Sequence, residues 1–274
     1  LGYKILNLGI GVRFPYPLQR RPGVSSGLFI SLCPYMQNET ISRTKQLLGD
    51  AAIKTLEHCR VAVFGVGGVG GYAVEVLARS GVGQLDLFDN DRVSLSNINR
   101  QIIALHSTVG KLKVDVAKER VMDINPECSV FAHAVFYLPD NADNFDLTRY
   151  DYVLDCIDTI AAKVELVKRC KSQGIPVISS MGAANKMDPT AFCVTDIFKT
   201  KMDPIAKVMR KKLKELGIRK LKVVCSYEQP IKIVCDDGDN PSRHVPASNA
   251  FVPAAAGLVM GSEAVKDLIG YNTK

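Results

Sequence analysis

Four glycines within six positions, Gly65-Val66-Gly67-Gly68-Val69-Gly70, follow the short apolar run Val61-Ala62-Val63-Phe64 and open a helical pattern. Glycines between a strand and a helix let the backbone approach a phosphate closely and aim helix N-terminal amides at it. Asp89 comes nineteen residues after Gly70, where an acid at the end of the next strand would bind ribose hydroxyls. NAD and ATP both carry ribose and phosphates, so these two features leave either open. The polar string running from Asp89 through Asp91, Asn97, Asn99 and Arg100 to Gln101 narrows the choice. A dehydrogenase would continue into its next helix here, and hydride transfer has no use for such groups. Nucleotidyl transfer has: pyrophosphate leaving an attacked α-phosphorus needs its charge neutralised, which Arg100 and Lys113 could do. Asp158 follows a further strand at the same sheet edge, where its carboxylate could hold Mg²⁺ against the phosphates.

Such residues, scattered over almost a hundred positions, need a scaffold that gathers strand ends along one edge. The apolar patterning supplies it. A strand at 61–64, a helix over 69–80 stopped by Gly81 and Gly83, and a strand at 84–88 make one βαβ unit. A helix over 113–122, strands at 128–135 and 152–155, a helix over 161–173 and a strand at 175–180 continue the alternation. The fold class expected is α/β, a Rossmann-like, doubly wound, mostly parallel sheet covered by helices on both faces. Helical spacing over 42–56 precedes it. After Asp188-Pro189 comes an extension with a strand at 191–195, a basic helix over 204–216, short strands near Leu221 and Ile231, an acidic turn at 236–239 and a final helix over 253–269. We expect one main domain, 36–270, which includes a basic substrate-binding extension at 190–250. Residues 1–35 carry four prolines, four bases and no acid, and read as a disordered or wrongly annotated stretch with the natural start at Met36.

Composition excludes other classes. With 47% hydrophobic and 23% charged residues among 274, the chain is neither disordered nor of low complexity. No apolar run approaches the ~18 residues a membrane helix needs. The eight cysteines (Cys33, Cys59, Cys128, Cys156, Cys170, Cys193, Cys225, Cys235) never stand three apart, which removes the Cys-x-x-Cys half-sites of structural zinc. Several fall in apolar stretches, and a reducing, cytoplasmic compartment is expected. The net charge of +7 is concentrated between Lys201 and Lys222, where nine bases face two acids. On a helical wheel Lys207, Arg210, Lys211 and Lys214 share one face, opposite Ile205, Val208, Met209, Leu213 and Leu216, while Lys212 falls among the apolar residues. A solvated charged face is the general explanation of such a helix; Arg219, Lys220 and Lys222 in the same segment favour RNA phosphates instead. Cys225 has no histidine beside it in sequence that would make it a nucleophile.

The combination of Gly65 to Gly70, Asp89-x-Asp91, Ser96-Asn97-x-Asn99-Arg100-Gln101, Gly110-x-x-Lys113 and Asp155-Cys156-Ile157-Asp158 resembles the ubiquitin-activating-like adenylyltransferases. The resemblance spans nearly everything from Arg43 to Ile269. It implies an ATP site formed by Gly65, Gly67, Gly68, Gly70, Asp89 and Asp91, with Asp89 on the ribose, Asn97, Arg100 and Lys113 on the phosphates, and Gln101 supporting that loop. Asp158 would stand near Mg²⁺ and the reacting carboxylate. Within that family, Ile124-Asn125-Pro126-Glu127-Cys128, Ser180-Met181-Gly182-Ala183 with Asp188-Pro189-Thr190, and Asp196-x-x-Lys199-Thr200-x-x-Asp203-Pro204 are similar to the tRNA threonylcarbamoyladenosine dehydratases. The implied reaction is ATP-dependent cyclisation of threonylcarbamoyladenosine in tRNA through an acyl-adenylate, with Arg100, Lys113 and Asp158 catalytic. Also implied is a homodimer in which Arg43, the sole N-terminal candidate, reaches a partner's nucleotide. Activation of a sulfur-carrier protein's C-terminal glycine is the competing reaction, against which the missing Cys-x-x-Cys pairs argue. A nucleotide-binding scaffold without chemistry is the competing class, against which Arg100, Lys113 and Asp158 speak. The residues assign no accessory protein delivering sulfur or electrons.

Overall fold

Strands buried on both faces can only sit at the centre of a three-layer molecule, and that is what the computed structural model shows over the residues it describes, 39–232 and 246–271. The expectations for residues 1–35 and for the acidic turn at 236–239 lie outside them.

Seven strands form one sheet: β1 (Arg60–Phe64), β2 (Gln84–Phe88), β3 (Ser129–His133), β4 (Tyr152–Asp155), β5 (Val177–Ser180), β6 (Phe192–Asp196) and β7 (Lys222–Ser226). Their order is β3-β2-β1-β4-β5-β7-β6. Every pairing is parallel except the last, where β6 runs antiparallel to β7. Along β1, Val61 and Val63 enter one core while Ala62 and Phe64 enter the other, as a period of two requires. The first core is closed by α2 (Asp50–His58), α3 (Gly70–Arg79), α4 (Lys113–Ile124) and α7 (Val252–Leu268). On the opposite face, α5 (Ile160–Ser172) and α6 (Pro204–Glu215) share a core with Phe64, Phe88 and Tyr137. The expected doubly wound α/β sheet is therefore present.

The winding reverses between the neighbours β1 and β4: the helix after β1 lies on one face and the helix after β4 on the other. A crevice at the carboxyl ends of the strands follows from that reversal. Helix α3, which leaves the glycine turn, is pinned by α7. A side chain at Gly261 would come within 2.6 Å of Val76 Cβ, and one at Gly257 would run into the carbonyl of Val69. Only small residues let α7 lie this close to the helix that starts at the crevice.

Three expectations need correction. The helical spacing over 42–56 is realised as two helices, α1 (Ser42–Leu48) and α2, because Gly49 between them takes φ of +86°. No strand forms at Ile231; its amide instead donates to the Asn185 carbonyl (2.7 Å), because β7 already has both its neighbours in β5 and β6. The apolar face expected for the basic helix is rotated: α6 buries Ala206, Met209 and Leu213, whereas Val208 and Leu216 remain 43% and 46% exposed. No helix of the described residues is long and apolar enough to cross a membrane.

Candidate nucleotide and RNA site

The crevice opens into a cavity of about 690 Å³. Its walls come from the ends of β1, β2, β4 and β5 and include Gly65, Gly67, Gly68, Asp89, Asp91, Asn97, Arg100, Gln101, Lys113 and Asp158. Residues drawn from five separate motifs thus meet in one place. The glycine turn is shaped by neighbouring backbone. Gly65 has φ of +87°, and a Cβ there would lie 2.7 Å from the Cys156 carbonyl oxygen. A side chain at Gly70 would strike the Gly65 carbonyl, so this last glycine closes the turn and does not line the cavity. At Gly67 the nearest atom to such a Cβ is Gln101 Nε2 at 3.7 Å, which leaves that backbone open to a ligand.

Asp89 is oriented before any ligand arrives. Its carboxylate accepts from the Val66 amide (2.8 Å) and the Asp91 amide (2.9 Å). Burial pushes its pKa above the usual carboxylate value, with Lys113 and the two amides pulling the other way. Lys113 is buried, and its Nζ lies 2.6 Å from Asp91 Oδ2 and 3.9 Å from Asp89 Oδ1. Asp91 therefore holds the lysine in place, and a phosphate must draw it from this carboxylate. Asn97 Oδ1 accepts from the Ser94 amide (3.1 Å) within a capping box, so its side-chain amide hydrogens are the part that can reach a ligand. The Arg100 guanidinium donates to the Ser96 carbonyl (2.9 Å) and to Asn99 Oδ1 (2.8 Å), which steadies it at the cavity rim. Gln101 is buried, and its Oε1 is one of two buried side-chain atoms without a hydrogen-bond partner among the described residues. Beside an open glycine backbone, an unpaired oxygen of this kind marks a place for a donor that is not part of the fold.

Asp158 is exposed and accepts from Thr159 Oγ1 at 3.3 Å. Asp155 of the same motif fixes its loop, through partners, Lys163 and Ser179, that belong to no motif. Asp155, fully buried, accepts from Ser179 Oγ (2.5 Å) and the Ile157 amide (3.2 Å). It also pairs with Lys163 Nζ at 3.1 Å, and Lys163 donates to the Ile157 carbonyl (2.9 Å). A buried aspartate, lysine and serine thus grip the turn that presents Asp158. The one available signal was a lysine set between Ala162 and Leu166 on a face that the helical period assigns to the core. Among the described residues, no group of three or more His, Cys, Asp and Glu could hold a metal ion unaided.

The basic ridge splits in two. Lys207, Lys211 and Lys214 are exposed on α6, as the wheel requires. Arg210 stands half-buried at the edge of that face, where one guanidinium nitrogen donates to the Thr200 carbonyl (3.0 Å) and to Thr200 Oγ1. These bonds tie the helix to the preceding turn and give Arg210 a structural role on α6. Arg43 is exposed on α1 and does not line the cavity. Cys225 is buried 3.8 Å from Cys193 Sγ, and burial pushes its thiol up to about 12, away from the thiolate a nucleophile needs. His133 is likewise structural, 2.8 Å from Asp86 and stacked on Phe88.

The ThiF family profile matches residues 41–274. The chain belongs to the ThiF family. The tRNA threonylcarbamoyladenosine dehydratase of Bacillus subtilis is 50% identical over 238 residues, covering 83% of this chain and 94% of that protein. A solved structure of the Escherichia coli tRNA N6-threonylcarbamoyladenosine dehydratase in complex with ATP superposes with a TM-score of 0.78 at 35% identity, covering 85% of this chain and 95% of that one. The molybdopterin-synthase adenylyltransferase of Escherichia coli is 39% identical but over 136 residues, 49% of this chain and 53% of its own. Within the ThiF family the likeness to the dehydratases thus runs nearly the full length of both partners, and the likeness to a carrier-protein activator through about half.

Proposed function

We propose that this chain is an ATP-dependent tRNA threonylcarbamoyladenosine dehydratase. The observation that carries the reading is the near full-length likeness to two such enzymes, one of them solved with ATP. The cavity suits ATP: the turn leaves open backbone at Gly67, and two cations, Arg100 and Lys113, line the same cavity.

The threonyl carboxylate attacks the α-phosphorus, pyrophosphate leaves, and the carboxylate becomes an acyl-adenylate. The modification's own carbamoyl group then attacks the acyl carbon and expels AMP, so that the elements of water are lost and a ring closes. No protein nucleophile takes part, in keeping with the thiols of the half-buried Cys156 and the buried Cys225, each pushed up to about 12 by desolvation. Asp89 accepts from the ribose hydroxyls. Lys113, released from Asp91, and Arg100 neutralise the charge that develops on the departing phosphates, and Asn97 donates to them. Asp158 would offer a carboxylate oxygen to Mg²⁺, an ion that one or two carboxylates together with substrate phosphates usually hold. Mg²⁺ contributes further neutralisation of phosphate charge when bound.

Lys207, Lys211 and Lys214 carry the tRNA backbone as phosphate contacts. The active form is a homodimer, with the exposed Arg43 of one protomer directed to the nucleotide of the other. The compartment proposed is the reducing cytoplasm, in keeping with the free cysteines and a tRNA substrate. The deciding experiment measures AMP release from ATP with modified tRNA, with unmodified tRNA, with a small sulfur-carrier protein and with neither. AMP formed only with modified tRNA is the expected result; release that requires a small carrier protein instead would replace this function with the competing one.

A further inference from the structure

A second buried ion pair lies behind the cavity wall formed by Gly182, Ala183, Ala184 and Ile205, and neither of its members lines the cavity. Lys186 Nζ is fully buried, 3.1 Å from Asp203 Oδ2 and 2.6 Å from the Gly182 carbonyl oxygen. Asp203 caps α6, its Oδ1 accepting from the Ala206 amide at 2.9 Å. The two residues come from different elements. Lys186 belongs to the loop after β5, whose Gly182, Ala183 and Ala184 line the cavity. Asp203 begins the helix whose Ile205 lines it too, and whose outer face carries Lys207, Lys211 and Lys214. The loop lies so close to the helix cap that a Cβ on Gly182 would stand 2.9 Å from Asp203 Oδ2. Its other side is tied to the start of α7. Asn249 Nδ2 donates to the Lys186 carbonyl (2.8 Å), while Asn249 Oδ1 accepts from the Val252 amide (2.9 Å) one residue before Pro253 at the cavity.

An ion pair removed from water is weak support for stability, since a packed apolar pair of similar volume often does as well or better. What it supplies here is a defined position for the cavity wall relative to the basic helix. From this arrangement we infer that Lys186 and Asp203 are positioning residues for the tRNA side of the reaction. They set the wall formed by Gly182, Ala183, Ala184 and Ile205, on which the modified nucleoside rests, at a fixed distance from the helix that holds the tRNA backbone. The inference rests on the dehydratase reading and adds two residues to it. Neither residue touches ATP, so their loss is read in the step that needs tRNA and not in nucleotide binding.

The test compares wild type with Lys186→Met, Asp203→Asn, the double variant Lys186→Met/Asp203→Asn and the conservative Lys186→Arg. ATP dissociation constants, kcat and KM for modified tRNA by AMP release, and thermal unfolding are measured for each. The double variant leaves no buried charge unpaired and keeps a side-chain oxygen for the helix cap, so it decides the matter where a single variant fails to fold. Expected is a fall in tRNA-dependent kcat on the order of a hundredfold, the loss that a displacement of about 1 Å brings to a positioned reaction. ATP binding stays at the wild-type value, and Lys186→Arg recovers most of the turnover. A double variant that turns over at the wild-type rate, that fails to fold, or that loses ATP binding in step with turnover assigns the pair to stability and overturns the inference. Wild-type protein that releases no AMP with modified tRNA overturns the dehydratase reading itself, an outcome visible before any variant is compared.

Discussion

The end of the cavity proposed for the phosphates and helix α6, proposed to meet RNA, are built from the same residue types in opposite ways. At the phosphate end, Lys113 is buried and held by Asp91, and Arg100 is steadied by Ser96 and Asn99. Both are held in place before a ligand arrives, Arg100 by neutral acceptors and Lys113 by a carboxylate that it must leave for a phosphate. On α6, Lys207, Lys211 and Lys214 stand in solvent, and the one base that is fixed, Arg210, is taken up by Thr200. Exposed lysines suit a backbone whose phosphates are numerous and whose register need not be read. Aimed charge serves a transition state; loose charge serves encounter.

That contrast breaks first at its foundation if the buried groups are not needed. Lys163→Met strands the fully buried Asp155 and is expected to cost about 3–5 kcal/mol in chemical denaturation, the range for removing one partner of such a pair. A loss below about 1 kcal/mol would mean that the turn carrying Asp158 is held by other contacts.

The aimed charges come next. Arg100→Ala or Lys113→Ala should remove about 3 kcal/mol of transition-state stabilisation, a fall in turnover of at least a hundredfold with the protein folded. Near-normal rates in both would show that the phosphate end is no more specialised than α6.

Within the phosphate end, Asp89→Asn should weaken ATP binding whereas Asp158→Asn should lower kcat, because only the second acts on developing charge. Acid pH separates them further. Burial raises the pKa of Asp89, so the fold favours its protonated form; its contribution to stability is largest at low pH and declines as pH rises through the raised value. Ribose binding needs the carboxylate and runs the other way. ATP affinity should fall on acidification at a pH above the ordinary carboxylate range, and Asp89→Asn should flatten that dependence. Parallel curves for wild type and variant would remove Asp89 from the ribose.

The smallest effect sharpens the comparison at the RNA end. Replacing Lys207, Lys211 and Lys214 with glutamine should leave ATP binding intact and reduce the slope of log tRNA affinity against log salt by roughly 0.7 to 0.9 for each phosphate no longer neutralised. Arg210→Gln should lower stability and leave the slope unchanged. If the triple variant's slope coincides with that of wild type, α6 is a solvated face only.

Every cavity-lining group proposed for the nucleotide could be read in order along the chain, from Gly65, Gly67 and Gly68 through Asp89, Asn97, Arg100, Gln101 and Lys113 to Asp158. Each belongs to a short motif whose spacing follows from a strand ending and a helix beginning, and such local geometry is written in consecutive residues. The alternation of strand and helix placed those motifs on one sheet edge for the same reason. Partnerships between separate elements left no such trace. Lys163 with Asp155 and Ser179, Lys186 with Asp203, and Arg210 with Thr200 join side chains whose spacing obeys no period. A helical wheel gives the angle between residues on α6 but not its phase against the core. The phase came from Asp203 and its buried lysine at the start of the helix and from Ala206, Met209 and Leu213 packing beneath, which turned Arg210 inward and left Val208 and Leu216 in solvent. Burial of a charge is a property of what surrounds it, and only the folded chain assembles those surroundings.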